Sequence, residues 1–178
     1  MVKHWIAPIL GVACAYYITA ALGLSWAVPP GYATMVWASS GVALGAVYAF
    51  GARVAPGVWL GSYLANLFVP TAYGRPVLFL AAIAPGLGAM LQACVGAAML
   101  RRFCPGGIWS ASAFVRLALV VAVSTGINGL LGPTSLWLAG AIPTELLQSC
   151  IRTWWIGDAL GALVFAPLVI FMVDNARK

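Results

Sequence analysis

Charge is what this sequence has least of. Only 7% of its 178 residues are Asp, Glu, Lys or Arg, against roughly a quarter in a soluble domain. Three of them are acidic: Glu145, Asp158 and Asp174. With 63% hydrophobic residues beside that shortage, a soluble globular domain is excluded and an integral membrane protein is expected. Histidine occurs once, at His4, and Cys14, Cys94, Cys104 and Cys150 lack metal-ligand spacing, so neither a zinc site nor a Cys/His catalytic cluster can be assembled. The cysteines read as small apolar fillers. No two carboxylates are spaced for acid–base work and no glycine-rich loop precedes a phosphate-binding lysine. An enzyme is not expected. The net charge of +6 would suggest nucleic acid in a soluble protein, but here the basic residues stand at the ends of apolar runs and read as topology determinants. No nucleic-acid partner is expected.

What the chain has in quantity is apolar runs. A spanning helix takes about 20 apolar residues, so the length accommodates about six transmembrane helices with short loops in one polytopic domain, 1–178. The fold class expected is all-α, an integral membrane bundle. The first span, about 5–28, stops at Pro29-Pro30-Gly31, which cannot continue a helix, and it lacks a convincing cleavage site, so it reads as retained. A second span covers about 33–50 and a third about 54–68, before the loop Pro70-Thr71-Ala72-Tyr73-Gly74-Arg75-Pro76. The fourth, about 77–100, carries Pro85-Gly86-x-Gly88 in its middle, where a kink is expected. The fifth starts near Ser112 and meets Gly132-Pro133, beyond which 136–138 is either a bent continuation or a re-entrant piece. After Pro143, Thr144 and Glu145 are placed to cap a last helix, reaching Val173 and longer than the hydrocarbon core. With both termini cytoplasmic, Lys3, Arg53, Arg101, Arg102, Arg116, Arg177 and Lys178 fall inside, and only Arg75 and Arg152 outside, as the positive-inside bias requires.

On that topology the intramembrane polar groups share one outer layer. Trp37, Ser39 and Ser40 lie at the outer end of the second span, Asn66 late in the third and Asn128 late in the fifth. Asp158 enters from the outer side at the head of an apolar run, preceded by Arg152, Trp154 and Trp155. A carboxylate in lipid is costly unless it has a partner or faces a cavity, so these nine residues form the candidate ligand- or partner-binding set. The plainer alternatives are that Arg152 and Asp158 mark the water boundary of the last helix, and that the hydroxyls merely bond their own preceding carbonyls. Arg152 and Asp158, six residues apart on a helix, are poorly placed to pair directly. The spacings Gly41-x3-Gly45, Gly57-x3-Gly61, Gly157-x3-Gly161 and Gly88-x3-Gln92-x3-Gly96 favour close helix contacts, with Gln92 able to bridge to a neighbour.

Three stretches carry a resemblance: Trp37-Ala38-Ser39-Ser40-Gly41-Val42-Ala43-Leu44; Gly51-x-Arg53-x-x-Pro56-Gly57-x-x-Leu60-Gly61-x-x-x-Ala65-Asn66; and Trp154-Trp155-Ile156-Gly157-Asp158-x-x-Gly161 with Pro167-Leu168. In this order they resemble the membrane-associated sensor domain of the first MASE class, the multi-span sensory module of many bacterial histidine kinases and diguanylate cyclases. The family commonly has proline where this chain has Ala38, which removes the usual chemical reason for a kink there. Its members usually continue into further spans and an output domain, so a chain ending at Lys178 is expected to be either a truncated sensor module or a free-standing subunit. The resemblance implies input rather than catalysis, a bacterial inner-membrane location, and Trp37, Asn66, Trp154, Trp155, Gly157 and Asp158 as functional positions. The expected partners are the lipid bilayer, a membrane protein or second copy, and a small-molecule ligand; the resemblance supplies no cofactor. The alternatives are the substrate-binding subunit of a vitamin-type transporter and an accessory subunit of a larger membrane complex, with lipid or pigment contacts.

Overall fold

A computed structural model describes residues 3–25, 34–68 and 80–177. The expected helix stop at Pro29-Pro30-Gly31, the 70–76 loop with Arg75, and Lys178 lie outside the described residues. Among the described residues there are six α-helices and no strand: α1 Lys3–Ser25, α2 Ala38–Phe50, α3 Ala55–Phe68, α4 Ile83–Phe103, α5 Ala111–Leu138 and α6 Thr144–Ala176, with a 3-10 turn, Ala52–Val54, between α2 and α3. Four of them, α1, α4, α5 and α6, are long and apolar enough to cross a bilayer. α2 is apolar but shorter. At 13 residues it spans about 20 Å, against a hydrocarbon core of about 30 Å.

Helix ends follow from local chemistry. α2 stops at Gly51, whose φ of 87° suits a residue without Cβ and whose N–H returns to the Val47 carbonyl at 2.9 Å. α5 starts at Ser110, whose hydroxyl accepts from the Ala113 N–H at 3.2 Å. It then runs unbroken through Gly132-Pro133, which settles the path left open above in favour of a continuous helix. Pro133 forfeits one backbone bond but is fully buried among its neighbours. The helix ends at Gly140, with Gly140 N–H to Trp137 O at 2.9 Å and Ala141 N–H to Leu136 O at 2.8 Å, a Schellman pair closed by glycine in the left-handed region.

Two expectations about ends need correction. Pro85 is not in the middle of a span: α4 begins at Ile83, so the proline sits in the first turn, where its missing N–H has no intrahelical partner to lose. Thr144 is not a cap either. Pro143 holds the cap position without a side-chain bond, and the Thr144 hydroxyl instead accepts from Trp137 Nε1 at 3.0 Å. Glu145 does lie in the first turn of α6.

Glycine sets the packing. A Cβ at Gly41 would collide with the Gly161 carbonyl oxygen and come within 2.6 Å of Phe165 Cβ, while one at Gly45 would come within 2.7 Å of Val169 Cβ. α2 and α6 therefore run side by side in the same direction with their backbones nearly touching. Gly57 and Gly61 do the same for α3 against α1, at Ile9, Val12, Ala13 and Tyr16. Small residues at such spacings allow the van der Waals contact that holds helices together where lipid removes the hydrophobic drive. The apolar core built this way centres on Tyr16, Leu44, Val47, Val58, Leu100, Leu117 and Val121, with a smaller cluster of Tyr63, Leu136, Ile142 and Cys150.

Candidate functional site

Arg53, Arg101, Arg116 and Arg177 gather at one end of the bundle. Arg101 donates to the carbonyls of Val47 at 2.7 Å and Tyr48 at 2.9 Å, and Arg177 to that of Ala49 at 3.1 Å. Arg116 bonds the Phe103 carbonyl at 3.0 Å, and Arg53 lies over the Trp5 ring. These are the ends of α2, α4 and α6 and the starts of α1 and α5. Cations there satisfy the last carbonyls of α2 and of α4 and match the negative ends of the helix dipoles.

Measured from that end, α2 rises only about 20 Å before its helix stops at Ala38, and the chain from Thr34 to Trp37 is irregular. Met35 and Val36 of this stretch are exposed, whereas its two ends, Thr34 and Trp37, rest on α6. The Trp37 N–H donates to the Gly157 carbonyl at 2.9 Å, the Trp37 carbonyl rests where a Gly161 side chain would be, and Ser40 Oγ donates to the backbone carbonyl of Asp158 at 2.6 Å. The tryptophan–serine motif of α2 and the glycine–aspartate motif of α6 are thus two halves of one contact.

Asp158 sits in the middle of α6, 3% exposed, so the first-turn amides of its own helix lie four turns away. Among the described residues no arginine or lysine pairs with it. Asn128 Nδ2 of α5 donates to its Oδ2 at 3.2 Å, and the Gln92 side chain of α4 lies beside the same carboxylate. Asn128 and Gln92 are 4% and 5% exposed, and each keeps a buried carbonyl oxygen, Oδ1 and Oε1, without a partner. Gly88 leaves the room in which Asn128 Oδ1 sits, one turn before Gln92 on the same face of α4. The glycine and glutamine stripe therefore faces the carboxylate.

Around this centre lies a second set of polar bonds. Ser39, wholly buried, donates to the Tyr16 carbonyl at 3.1 Å and shares a 2.9 Å bond with Thr19. Trp37 Nε1 reaches the Tyr16 hydroxyl at 3.4 Å. Tyr16 was missed in the sequence, where it stands beside Tyr17 in a span rich in alanine; its spacing of three from Thr19 was the available clue.

Of the nine candidates, Trp37, Ser39, Ser40, Asn128 and Asp158 are brought together. Trp154 and Trp155 flank them: Trp154 packs on Gly132, and Trp155 packs on Gly129 and donates from Nε1 to the Ala122 carbonyl at 2.9 Å. Asn66 stays out, its Nδ2 donating to the Ser62 carbonyl of its own helix at 2.9 Å. Arg152 is exposed and does not pair with Asp158.

The MASE1 family profile matches residues 9–178. The chain belongs to the MASE1 family. That family is one of membrane-associated sensory domains rather than catalytic ones, in keeping with the apolar helices here. Neither a curated protein nor a solved structure matches the chain.

Proposed function

We propose that this MASE1 domain is the input module of a sensor in a bacterial inner membrane. Its six helices cross with both termini cytoplasmic, and its outer half reads a small ligand or a membrane partner at the Asp158 layer. The state of that layer passes to an output domain or partner chain through α6. One observation carries the reading: a carboxylate without a cationic partner, deep in the bundle, on a helix that continues unbroken to the basic end. Burying such a charge is expensive, and the cost falls on the helix that leaves the bundle at Arg177. From Asp158 to Ala176 is about 27 Å of rigid helix, most of a hydrocarbon core. The partnerless oxygens of Asn128 and Gln92 weigh against a purely structural subunit, whose interior groups would be expected to pair among themselves.

The test is a fusion of the chain to a diguanylate cyclase or histidine kinase output domain. Asp158→Asn is expected to shift the basal output of the fusion, whereas Asp174→Ala, exposed near the C-terminal end of α6, leaves it unchanged. Equal output from both variants and the parent would remove the Asp158 layer from the input role.

A further inference from the structure

Asp158, Asn128 and Gln92 come from three different helices, and what they leave unsatisfied is all of one kind. Asn128 gives its NH2 group to the carboxylate and Gln92 lies beside it, and among the described residues each retains an oxygen with no donor in reach. Buried acceptors in this state cost free energy, and further carboxylate neighbours cannot relieve them, because they need positive charge or a donor. An amide turned over about its last bond exchanges NH2 for oxygen with little change of shape. The same two side chains therefore offer either donors to a bare carboxylate or oxygens to a cation beside it.

Charge decides the class of that cation. One carboxylate balances one positive charge, and a divalent ion would leave an uncompensated charge buried in the bundle, at the cost that excludes unpaired charges elsewhere. A carboxylate and two amide carbonyls are hard oxygen ligands, which suit an alkali ion rather than a soft transition metal. Thr34 to Trp37, the irregular stretch that seats α2 on α6, adjoins the site, so drawing the three oxygens together would bear on the α2–α6 contact as well as on α4 and α5.

We propose that Asp158, Asn128 and Gln92 form a binding site for one small monovalent cation, of the sodium type, at the junction of α4, α5 and α6. This rests on the reading of the Asp158 layer as the input site and names what it takes. Occupancy turns both amide oxygens to the ion and their NH2 groups away from the carboxylate, and because it also neutralises the buried charge of Asp158, whose cost is the larger, the ion-bound bundle is the more stable one.

The experiment is thermal unfolding of the purified chain in detergent, with sodium chloride replacing choline chloride at constant ionic strength. The parent is expected to show a saturable rise in Tm with sodium, as a ligand that binds only the folded state must produce. Asp158→Asn, which keeps the side-chain shape, should abolish the rise, and Gln92→Leu should weaken the apparent affinity roughly tenfold, the equivalent of one lost ligand bond. Should Asp158→Asn fail to fold, the Gln92→Leu titration and direct binding of radiolabelled sodium to the parent carry the test. A parent whose Tm ignores sodium, or follows pH alone, overturns the proposal, as does a sodium response that survives both substitutions. The two readings fail separately. A sodium-blind parent whose Asp158→Asn variant still shifts the fused output sinks the cation and leaves the input site, while sodium binding with no change of output does the reverse.

Discussion

The two charged regions of this molecule handle charge in opposite ways. At the basic end, Arg101, Arg116 and Arg177 reach carbonyls at helix ends and stay exposed, so each keeps water around its head while satisfying backbone that would otherwise be bare. In the Asp158 layer a single carboxylate is stripped of water and given two neutral amides, with oxygens left over. The first arrangement is what any helical bundle does at its boundary. The second carries a cost that the first avoids, and that cost is why the proposed input site is placed there. Between them the α2–α6 contact, glycine against glycine, fixes how the irregular start of α2 lies on the Asp158 turn.

The sharpest way to break this comparison is to pry that contact apart. Gly161→Val places a side chain where the Trp37 carbonyl lies, and backbone cannot give way as a flexible side chain can. A loss of about 3 kcal/mol or more is expected, at the upper end for overpacking, seen as aggregation or an early unfolding transition in detergent. Gly11→Val, with open space around the position, should leave unfolding close to that of the parent. Equal tolerance of both would mean that α2 and α6 do not meet through Gly161.

Next in size is Asp158→Ala. It leaves the Asn128 NH2 group buried without an acceptor, for a loss of about 1.5 to 3 kcal/mol, whereas Asp174→Ala at an exposed site stays within about 0.5 kcal/mol. A Tm series on the two variants separates a buried site from a boundary charge; equally mild effects favour the boundary. Smaller again is Arg101→Met at the basic end. It removes donors from the last carbonyls of α2, but water replaces them, so about 1 kcal/mol or less is expected, with the effect shrinking as salt rises. A larger loss at Arg101 than at Asp158 would reverse the contrast between the two regions.

Much of this was legible beforehand, for reasons that also explain the misses. Apolar run length and the shortage of charge dictate helices in a membrane, and the glycine spacings pointed to the helix contacts because close approach leaves few other residues possible. Asn128 and Asp158 were expected in one layer because chain direction and rise per residue give depth. Depth says nothing about rotation around the helix axis, however. Gln92 was singled out for a bridge without its partner, and Tyr16 was overlooked, because which way a residue faces on an all-apolar helix is not written in a polar/apolar pattern. Pro85 and Thr144 were misassigned by a few residues for a related reason. In a chain this uniformly apolar, composition does not mark where a helix starts, and the first turn was drawn too early for α4, whereas a cap was assigned one residue too late for α6.

The smallest expected effect concerns the residue that this reasoning placed wrongly. Asn66 shares its approximate depth with Asn128 and its residue type, so the two make a matched pair differing in what the side chain holds. Asn128 links α5 to a buried carboxylate on α6; Asn66 is half-buried and returns to the Ser62 carbonyl four residues back. That carbonyl already serves the backbone of its own helix, and a side-chain bond of this kind adds little where it competes with the regular ladder. Asn66→Leu is therefore expected to change stability by no more than about 0.5 kcal/mol, as at sites away from any buried network. Asn128→Leu, which leaves Asp158 with one amide in place of two, should cost about 1.5 kcal/mol or more. Paired melting curves in the same detergent decide it, and a loss at Asn66 that matches the loss at Asn128 would return Asn66 to the polar layer and widen the site toward α3.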